Sequence, residues 1–586
     1  MVADLITTEL IRGALTYASE EMGVALRNSA YSPNIRERMD HSCSIFDSKK
    51  RLIAQAEHIP VHLGSMPLAV RRTLEVYKDP LERGDMILVN DPAIAGTHLP
   101  DLTLIQAVFF GGEIVSYVAN KAHHSDIGGK SPGSMPSDSK ELREEGLIIE
   151  PIKLLESGKI VDEVLRWITS NVRTPKTTMG DLRAQVAANN MGERRVVEVV
   201  SRYGADLFKE AVDEAMSISE RRLRRRIMEM PDGEFEAEDY LEDTGTDEKP
   251  VKIRVKVTKK TDRIRIDYTG TDGQVRGPVN APFGVTVAGV YYTIKCVTDP
   301  TIPTNDGFSR PIEIYAPAGT LLNPIFPAPV AAGNVETSQR NVDTLLKAFA
   351  GMVPLRICAA GQGTMNNVTV GGEEHESGHW SFYETIGGGM GGASGVDGAD
   401  GVQVHMTNTM NTPIETIEAS YPIRLIKYEL REDSGGPGKW RGGAGIERTW
   451  MLLSNGASVS ILAERNKIHP WGLYEGKPGG LGEYLLKSRD GAERRLGSKS
   501  SFQMNKGDLL IIRTPGGGGY GNAIDRDPHL VLKDVLDGLV SVEAAQNEYG
   551  VIIDIKNRRI DWDLTRRLRA QDGRKTATGK SLARLR

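Results

Sequence analysis

Ile11, Leu15, Ala18, Met22 and Leu26 recur every three or four residues, which is one apolar stripe and predicts a helix over Thr8–Ser29. A second helix is predicted at Met66–Tyr77. Short strands are expected at Cys43–Phe46, Leu52–Ala54, Met86–Asn90, Leu102–Phe110 and Ile114–Val118, punctuated by Gly, Pro, Asn and Asp. Residues 201–230 read as a long helix carrying the basic run Arg221–Arg226. That run fits a phosphate contact, a solvated helix face or a subunit contact, and the acidic stretch 234–247 offsets it. From Lys249 the period changes. Val251, Ile253, Val255 and Val257 alternate with polar residues, and Ile264, Ile266 and Tyr268 answer them after a turn, as paired strands do. Helices are expected again at Val285–Cys296 and Glu336–Ala350. Residues 421–515 read as a β-rich module, followed by a helical tail whose last residues, 566–586, are expected to be mobile. No repeat of fixed period is visible. The pattern predicts a mixed α/β (α+β) protein in four units: 1–240 and 241–420, both α/β, 421–525, rich in β-strand, and the tail 526–586.

Composition narrows this. Of 586 residues, 73 are Lys or Arg and 78 are Asp or Glu, so the net charge of 73 − 78 = −5 offers no basic excess for nucleic acid or an anionic membrane. Glycine, at 63 residues, is over-represented and points to tight turns and close backbone approaches. The three cysteines (Cys43, Cys296 and Cys358) form no CxxC pair, which excludes a disulfide framework or a thiolate zinc site. Cys43 is a conceivable nucleophile, although a lone cysteine is usually a small buried residue. The N-terminus lacks a signal-peptide pattern. The longest apolar stretch, Leu102–Ala119, is interrupted by Gly111-Gly112-Glu113, so no membrane span is predicted and a cytoplasmic location is expected.

Six of the 11 histidines, His41, His58, His62, His98, His123 and His124, fall between residues 41 and 124, together with Asp40, Glu57, Asp91, Asp101 and Asp126. The tightest group is Gly96-Thr97-His98-Leu99-Pro100-Asp101 with His123-His124-Ser125-Asp126. If Leu102–Phe110 and Ile114–Ala119 form a hairpin, both groups lie at one sheet edge, where sites are commonly built. Imidazole and carboxylate without thiolate suit Mn, Fe or Zn, and the same spacing equally suits turn caps and surface hydrogen bonds.

The run Gly387–Gly395, followed by Asp397–Gly401, could cradle a phosphate or oxyanion through its N–H groups, but it lacks the Gly-Lys-Ser/Thr ending of a P-loop. A flexible loop packed close to another backbone fits as well. Gly516–Gly519 reads as a turn. No Gly-x-Ser-x-Gly elbow in a good context and no HExxH helix is present, and the Glu376–His379 pair sits among glycines, as chance would place it.

Several long segments resemble the hydantoinase B/oxoprolinase family. They are Tyr31–Arg38, His58–Pro67, Gly96–Asp101, Ala122–Gly129, Gly333–Arg340 and His405–Thr409, and the resemblance runs from Glu9 to about Tyr520. It implies a hydantoinase A-type partner of actin-like ATPase fold that binds the ATP, in a heterotetramer or larger assembly. It also implies ATP-dependent opening of a cyclic amide such as a hydantoin, 5-oxoproline or another lactam. Acetone and acetophenone carboxylases use similar subunits, and in the acetone carboxylases the metal ligands sit in a His-x-x-Asp pair plus a later histidine. That pattern implies a divalent metal (Mn, Fe or Zn) on His98, Asp101 and His123, with Asp40 as a further ligand. His124 and Asp126 are then expected as catalytic proton carriers or orienting groups, and the 387–395 loop as a lid or oxyanion donor. The alternatives are a subunit of an ATP-dependent ketone carboxylase and a non-catalytic structural subunit.

Overall fold

The computed structural model describes residues 4–56, 58–374 and 378–570; Glu57, Glu376 and 571–586 lie outside them. The first unit is a seven-stranded sheet built from β1 (His41–Asp47), β2 (Leu52–Ala56), β3 (Met86–Val89), β4 (Asp101–Phe110), β5 (Glu113–His123), β6 (Ile152–Glu156) and β7 (Lys159–Ile160), in the order β2-β1-β5-β4-β3-β6-β7. Neighbouring strands are antiparallel. Helix α1 (Leu5–Ser29) covers one face, with Ile11, Leu15, Met22 and Leu26 against Ile45, Val108 and Val118. Helix α2 (His62–Val76) covers the other, with Met66 and Val70 against Phe46, Ile105 and Ala119. With both faces covered, β1 is buried at every position, which is why its sequence shows no polar alternation.

The helix expected over 201–230 forms, and a second helix that the sequence did not predict precedes it. Helix α3 (Pro175–Tyr203) and helix α4 (Ala205–Met228) are separated by Gly204 at φ 83°. The inner face of α3 is polar where an apolar stripe would be expected. Gln185 Nε2 donates to Leu102 O, and Asn189 Nδ2 donates to Leu104 O. On α4 four of the five arginines in the basic run pair within the chain. Arg221 pairs with Glu214, Arg222 and Arg226 with Asp299, and Arg224 with Glu220 and Asp262.

The second sheet runs β11 (Ile312–Tyr315), β10 (Arg263–Asp267), β9 (Val251–Lys260), β8 (Gly233–Leu241). Its apolar face packs on α5 (Phe283–Val297) and α6 (Ser338–Ala350). Helix α5 also lies against α2 so closely that a Cβ on Gly64 would stand 2.5 Å from the Ala288 nitrogen. Residues Gly333–Thr337, ahead of α6, form a π-helical turn.

The third unit is a sandwich of two sheets sharing one core: β13 (Gly378–Thr385), β12 (Asn367–Glu374), β16 (Ala457–Leu462) and β19 (Lys499–Met504) against β14 (Ile423–Leu430), β15 (Ile446–Leu452), β20 (Leu509–Arg513), β17 (Glu483–Lys487) and β18 (Glu493–Leu496). Because β12 pairs with β16, the module reaches back across residue 421 to Asn367.

Beside it the glycine-rich segments assemble into a bundle of extended chains. Gly516, Gly517, Gly518 and Gly519 donate in turn to Gly480, Gly443, Ala360 and Lys477 carbonyls, on three neighbouring segments, the fourth bond returning to the segment of the first. N–H groups that rotate outward in this way are those of a threefold, polyproline-II-like chain. Gly516–Gly519 is therefore a strand of this bundle and not a turn. Gly388, Gly389, Met390 and Gly392 donate to Val402, Pro515, Ala399 and Gly518, so the expected lid or oxyanion donor at 387–395 is corrected: these N–H groups are already used.

The tail carries helices Pro528–Leu536 and Val542–Tyr549, a two-stranded hairpin (Ile553–Asp554 with Arg559–Ile560) and a helix over 562–570, so the mobile end expected from residue 566 is helical as far as 570. Arg526 anchors the tail through Asp397 and Asp534. No helix among the described residues is long and apolar enough to cross a membrane.

Candidate metal centre

The expected hairpin forms, and its register puts Asp101 directly opposite His123. His98 reaches the same point from the turn before β4. The short helix Pro92–Ala95 ends there at Gly96, in the left-handed region at φ 72°, before Thr97 and His98. His98 Nε2, His123 Nδ1 and Asp101 Oδ1 then form a triangle with sides of 3.2, 3.2 and 3.3 Å. Every pair of ligand atoms in this group lies within 4.8 Å, and it is the one such cluster of His, Cys, Asp and Glu among the described residues.

The arrangement fits a divalent cation. Bonds of about 2.0–2.1 Å to nitrogen and oxygen in a tetrahedron give ligand–ligand edges of roughly 3.3 Å. His98 Nδ1 lies 3.2 Å from the Ala331 carbonyl; donating there puts the proton on Nδ1 and leaves a lone pair on Nε2, facing the other two groups. Two ring nitrogens 3.2 Å apart repel unless a proton or a cation lies between them. Asp101 Oδ2 is buried without a hydrogen bond, although His62 Nε2 stands 3.6 Å away, itself held by Ser42 Oγ at 2.8 Å from Nδ1.

The charges agree with this geometry. Burial alone would raise the Asp101 carboxyl, yet His98, His123 and His62 hold it well below the usual range. Burial opposes charge on His98, but Asp101 draws its pKa up; burial lowers that of His123.

The surrounding cavity has a volume of about 20 Å³, room for about one water and not for a five-membered ring. Asp40, Ile59, Val61, Asn334, Tyr383 and Met406 are among its walls. Asp40 follows Met39, which adopts φ 56°, and its main-chain carbonyl accepts from the His123 N–H. Its side chain lines the cavity but is outside the tight group of three.

The structure does not bring the other expected residues here. His124 alternates to the opposite face of the sheet, where Nε2 meets Gln185 Oε1 at 2.9 Å. Asp126 accepts from the N–H groups of Gly128, Gly133 and Arg173 and from the Arg173 guanidinium, which makes it the knot of a turn. Proton transfer by either residue therefore has no support in this geometry. Asp91 caps the short helix through Ala93 N, and His41 and His58 stack as a tilted pair 4.9 Å apart. Cys43 is fully buried and its thiol is pushed up by that burial, as a core residue and not a nucleophile.

Sequence reasoning missed Tyr383, which stacks on His123 at 4.7 Å and 21°, with the Arg38 guanidinium 4.7 Å from the same ring. Its hydroxyl donates to Asn367 Oδ1 at 2.8 Å, and Asn367 Nδ2 in turn donates to Glu336 Oε1 at 2.8 Å. Glu336 is pushed up to about 8 by burial, with Glu464 adding to the shift. The one signal in the sequence was Glu336 inside the recognised Gly333–Arg340 segment; nothing local marks Tyr383.

Fold and site together define one class. Residues 4–523 match the Hydantoinase B/oxoprolinase family, and the chain belongs to it. An uncharacterized protein of Methanocaldococcus jannaschii is 49% identical over 97% of this chain and its own full length. A Pseudomonas sp. (strain NS671) protein, provisionally named as the B-type subunit of a D-/L-hydantoinase, is 37% identical over 97% of this chain and 98% of its own. 5-Oxoprolinase 1 of Arabidopsis thaliana is 38% identical over 89% of this chain, which spans only 42% of that protein's length. Among solved structures, an ATP-dependent caprolactamase from Pseudomonas jessenii superposes with a TM-score of 0.90 at 30% identity, over 97% of this chain and 100% of the other. An acetone carboxylase structure shares the fold, with a TM-score of 0.91 at 20% identity over 98% and 83%.

Proposed function

We propose that this chain is the metal-holding subunit of an ATP-dependent cyclic-amide hydrolase and works with a hydantoinase A-type ATPase subunit. The observation that carries the reading is the convergence of His98, Asp101 and His123 on one buried point. The likeness to a caprolactamase over nearly the whole chain, and to a protein named as a B-type hydantoinase subunit, supports it.

Cyclic amides resist hydrolysis because resonance makes their carbonyl carbon a poor electrophile. ATP consumed by the partner would transfer its γ-phosphoryl group to the carbonyl oxygen and release ADP. The resulting imidate phosphate has a good leaving group and must be kept from bulk water. His98, Asp101 and His123 would hold a divalent cation, with Asp40 nearby, and such an ion supplies Lewis acidity and a water of lowered pKa. The chain's own residues do the rest. Ala331 O and His62 orient the ligands. Ile59, Val61 and Met406 exclude solvent. Asn334 Oδ1, buried without a partner at the cavity wall, can accept from a water held there.

The test is elemental analysis of the complex, wild type beside His98→Ala. ATP turnover is followed with hydantoin, 5-oxoproline, caprolactam, and acetone plus bicarbonate. About one metal per chain, lost in the variant together with cyclic-amide-dependent turnover, is expected. Turnover driven by ketone plus bicarbonate would assign a carboxylase instead, and an active wild type free of metal would leave this chain a scaffold.

A further inference from the structure

Lys121 lies on β5 two residues before His123 and is completely buried. Its Nζ donates to Ala95 O and to Thr97 Oγ1, each at 2.9 Å. Among the described residues no carboxylate is within ion-pair distance of it. A buried ammonium is costly unless its donors are used, and an apolar side chain would fill the same space without that cost. What the ammonium does here is local. Its two acceptors flank Gly96, whose left-handed backbone turns the chain into His98. Pulling both sides of that turn onto β5 fixes where His98 emerges relative to His123 on the same strand.

We infer that Lys121 is a positioning residue for the candidate metal centre, clamping the 95–97 turn so that His98 Nε2 meets Asp101 and His123. This rests on the reading of those three side chains as metal ligands. Groups that orient ligands from behind typically change metal affinity about 10–100-fold when removed.

The test uses the full chain with Co²⁺ as probe, read by competition binding and by the cobalt d–d spectrum, together with Tm. Lys121→Met is expected to bind Co²⁺ about 10–100-fold more weakly, with a shifted spectrum. Thr97→Val, which removes one of the two bonds, is expected to fall between Lys121→Met and wild type. Val108→Ala, a core truncation on the far part of β4, should lower Tm and leave affinity and spectrum unmoved. Equal affinity and spectrum in Lys121→Met and wild type would overturn the inference. If Lys121→Met does not fold, unchanged binding by Thr97→Val overturns it. A wild type that takes up no cobalt removes the metal reading, and the clamp with it.

Discussion

Asp101 and His123 face each other across the β4–β5 register, with Asp101 Oδ1 3.2 Å from His123 Nδ1, and both side chains are almost wholly buried. A cross-strand pair is among the most reproducible distances a sheet can set, because the ladder fixes it from both sides. Only His98 has to be delivered by a turn. The candidate centre therefore has two of its three side chains on rigid strands and one on a turn.

Asp126→Asn should act on folding and not on the chemistry. The substitution weakens a carboxylate that accepts from three backbone N–H groups and from Arg173. A loss of about 2–4 kcal/mol is expected from breaking such a buried network. Denaturant unfolding checks the loss. The pH profile of turnover in the surviving enzyme should match wild type, and a displaced profile would restore a proton-carrying role.

Tyr383→Phe separates the ring from the hydroxyl. The ring stays on His123, but Asn367 Oδ1 loses its donor inside the core. About 1–3 kcal/mol of stability should be lost while metal content stays at the wild-type level. Tyr383→Ala should lower both. Paired melting and metal analysis of the two variants separates the contributions.

Glu336 predicts a pH dependence of fixed sign. Its folded-state pKa is raised from 4.5 to about 8, so the protonated form is favoured in the folded chain. That contribution is fully present below 4.5 and is lost as pH rises toward 8. Glu336→Gln keeps a neutral side chain at every pH. The stability of wild type relative to Glu336→Gln should therefore fall between about pH 5 and 8 and level off above, by at most ~5 kcal/mol. Denaturation of both proteins across that range is the measurement, and parallel curves would count against the assignment.

Glycines in different places should respond in opposite directions. A Cβ on Gly389 would stand 1.9 Å from Gly443 O and 2.2 Å from Gly517 N, so Gly389→Ala should cost more than about 4 kcal/mol or abolish folding. Gly13 lies on the exposed side of α1 with nothing within 4 Å, and Gly13→Ala should stabilise by roughly 0.5–1 kcal/mol. Melting temperatures of the two variants test the contrast.

What the sequence revealed follows from where its signals are local. The α1 stripe, the β9–β10 alternation and the β4–β5 hairpin are carried by neighbours in the chain, and the hairpin was enough to set Asp101 opposite His123, while His98 entered the set through the family resemblance. Helix α3 was missed because Gln185 and Asn189 stand where apolar residues would mark its inner face, serving strand carbonyls instead. His124 and Asp126 were misplaced because adjacency in sequence carries no information about facing: successive residues at a strand end point to opposite sides. Tyr383 enters from a sheet more than 250 residues beyond His123, a relation no window along the chain contains.

The glycine bundle also bears on how the protein responds to temperature. Its chains are joined by main-chain hydrogen bonds and present almost no side chains to one another, so unfolding it wets peptide groups and little hydrocarbon. Exposure of apolar surface raises the heat capacity, and exposure of polar surface lowers it. The bundle and the apolar cores beside it thus contribute to the heat capacity of unfolding with opposite signs. On cooling, the attraction that holds the cores weakens, while the ladder of amides that holds Gly516–Gly519 to its neighbours does not depend on it. Of the parts of this chain, the bundle is the one whose cohesion should hold best in the cold.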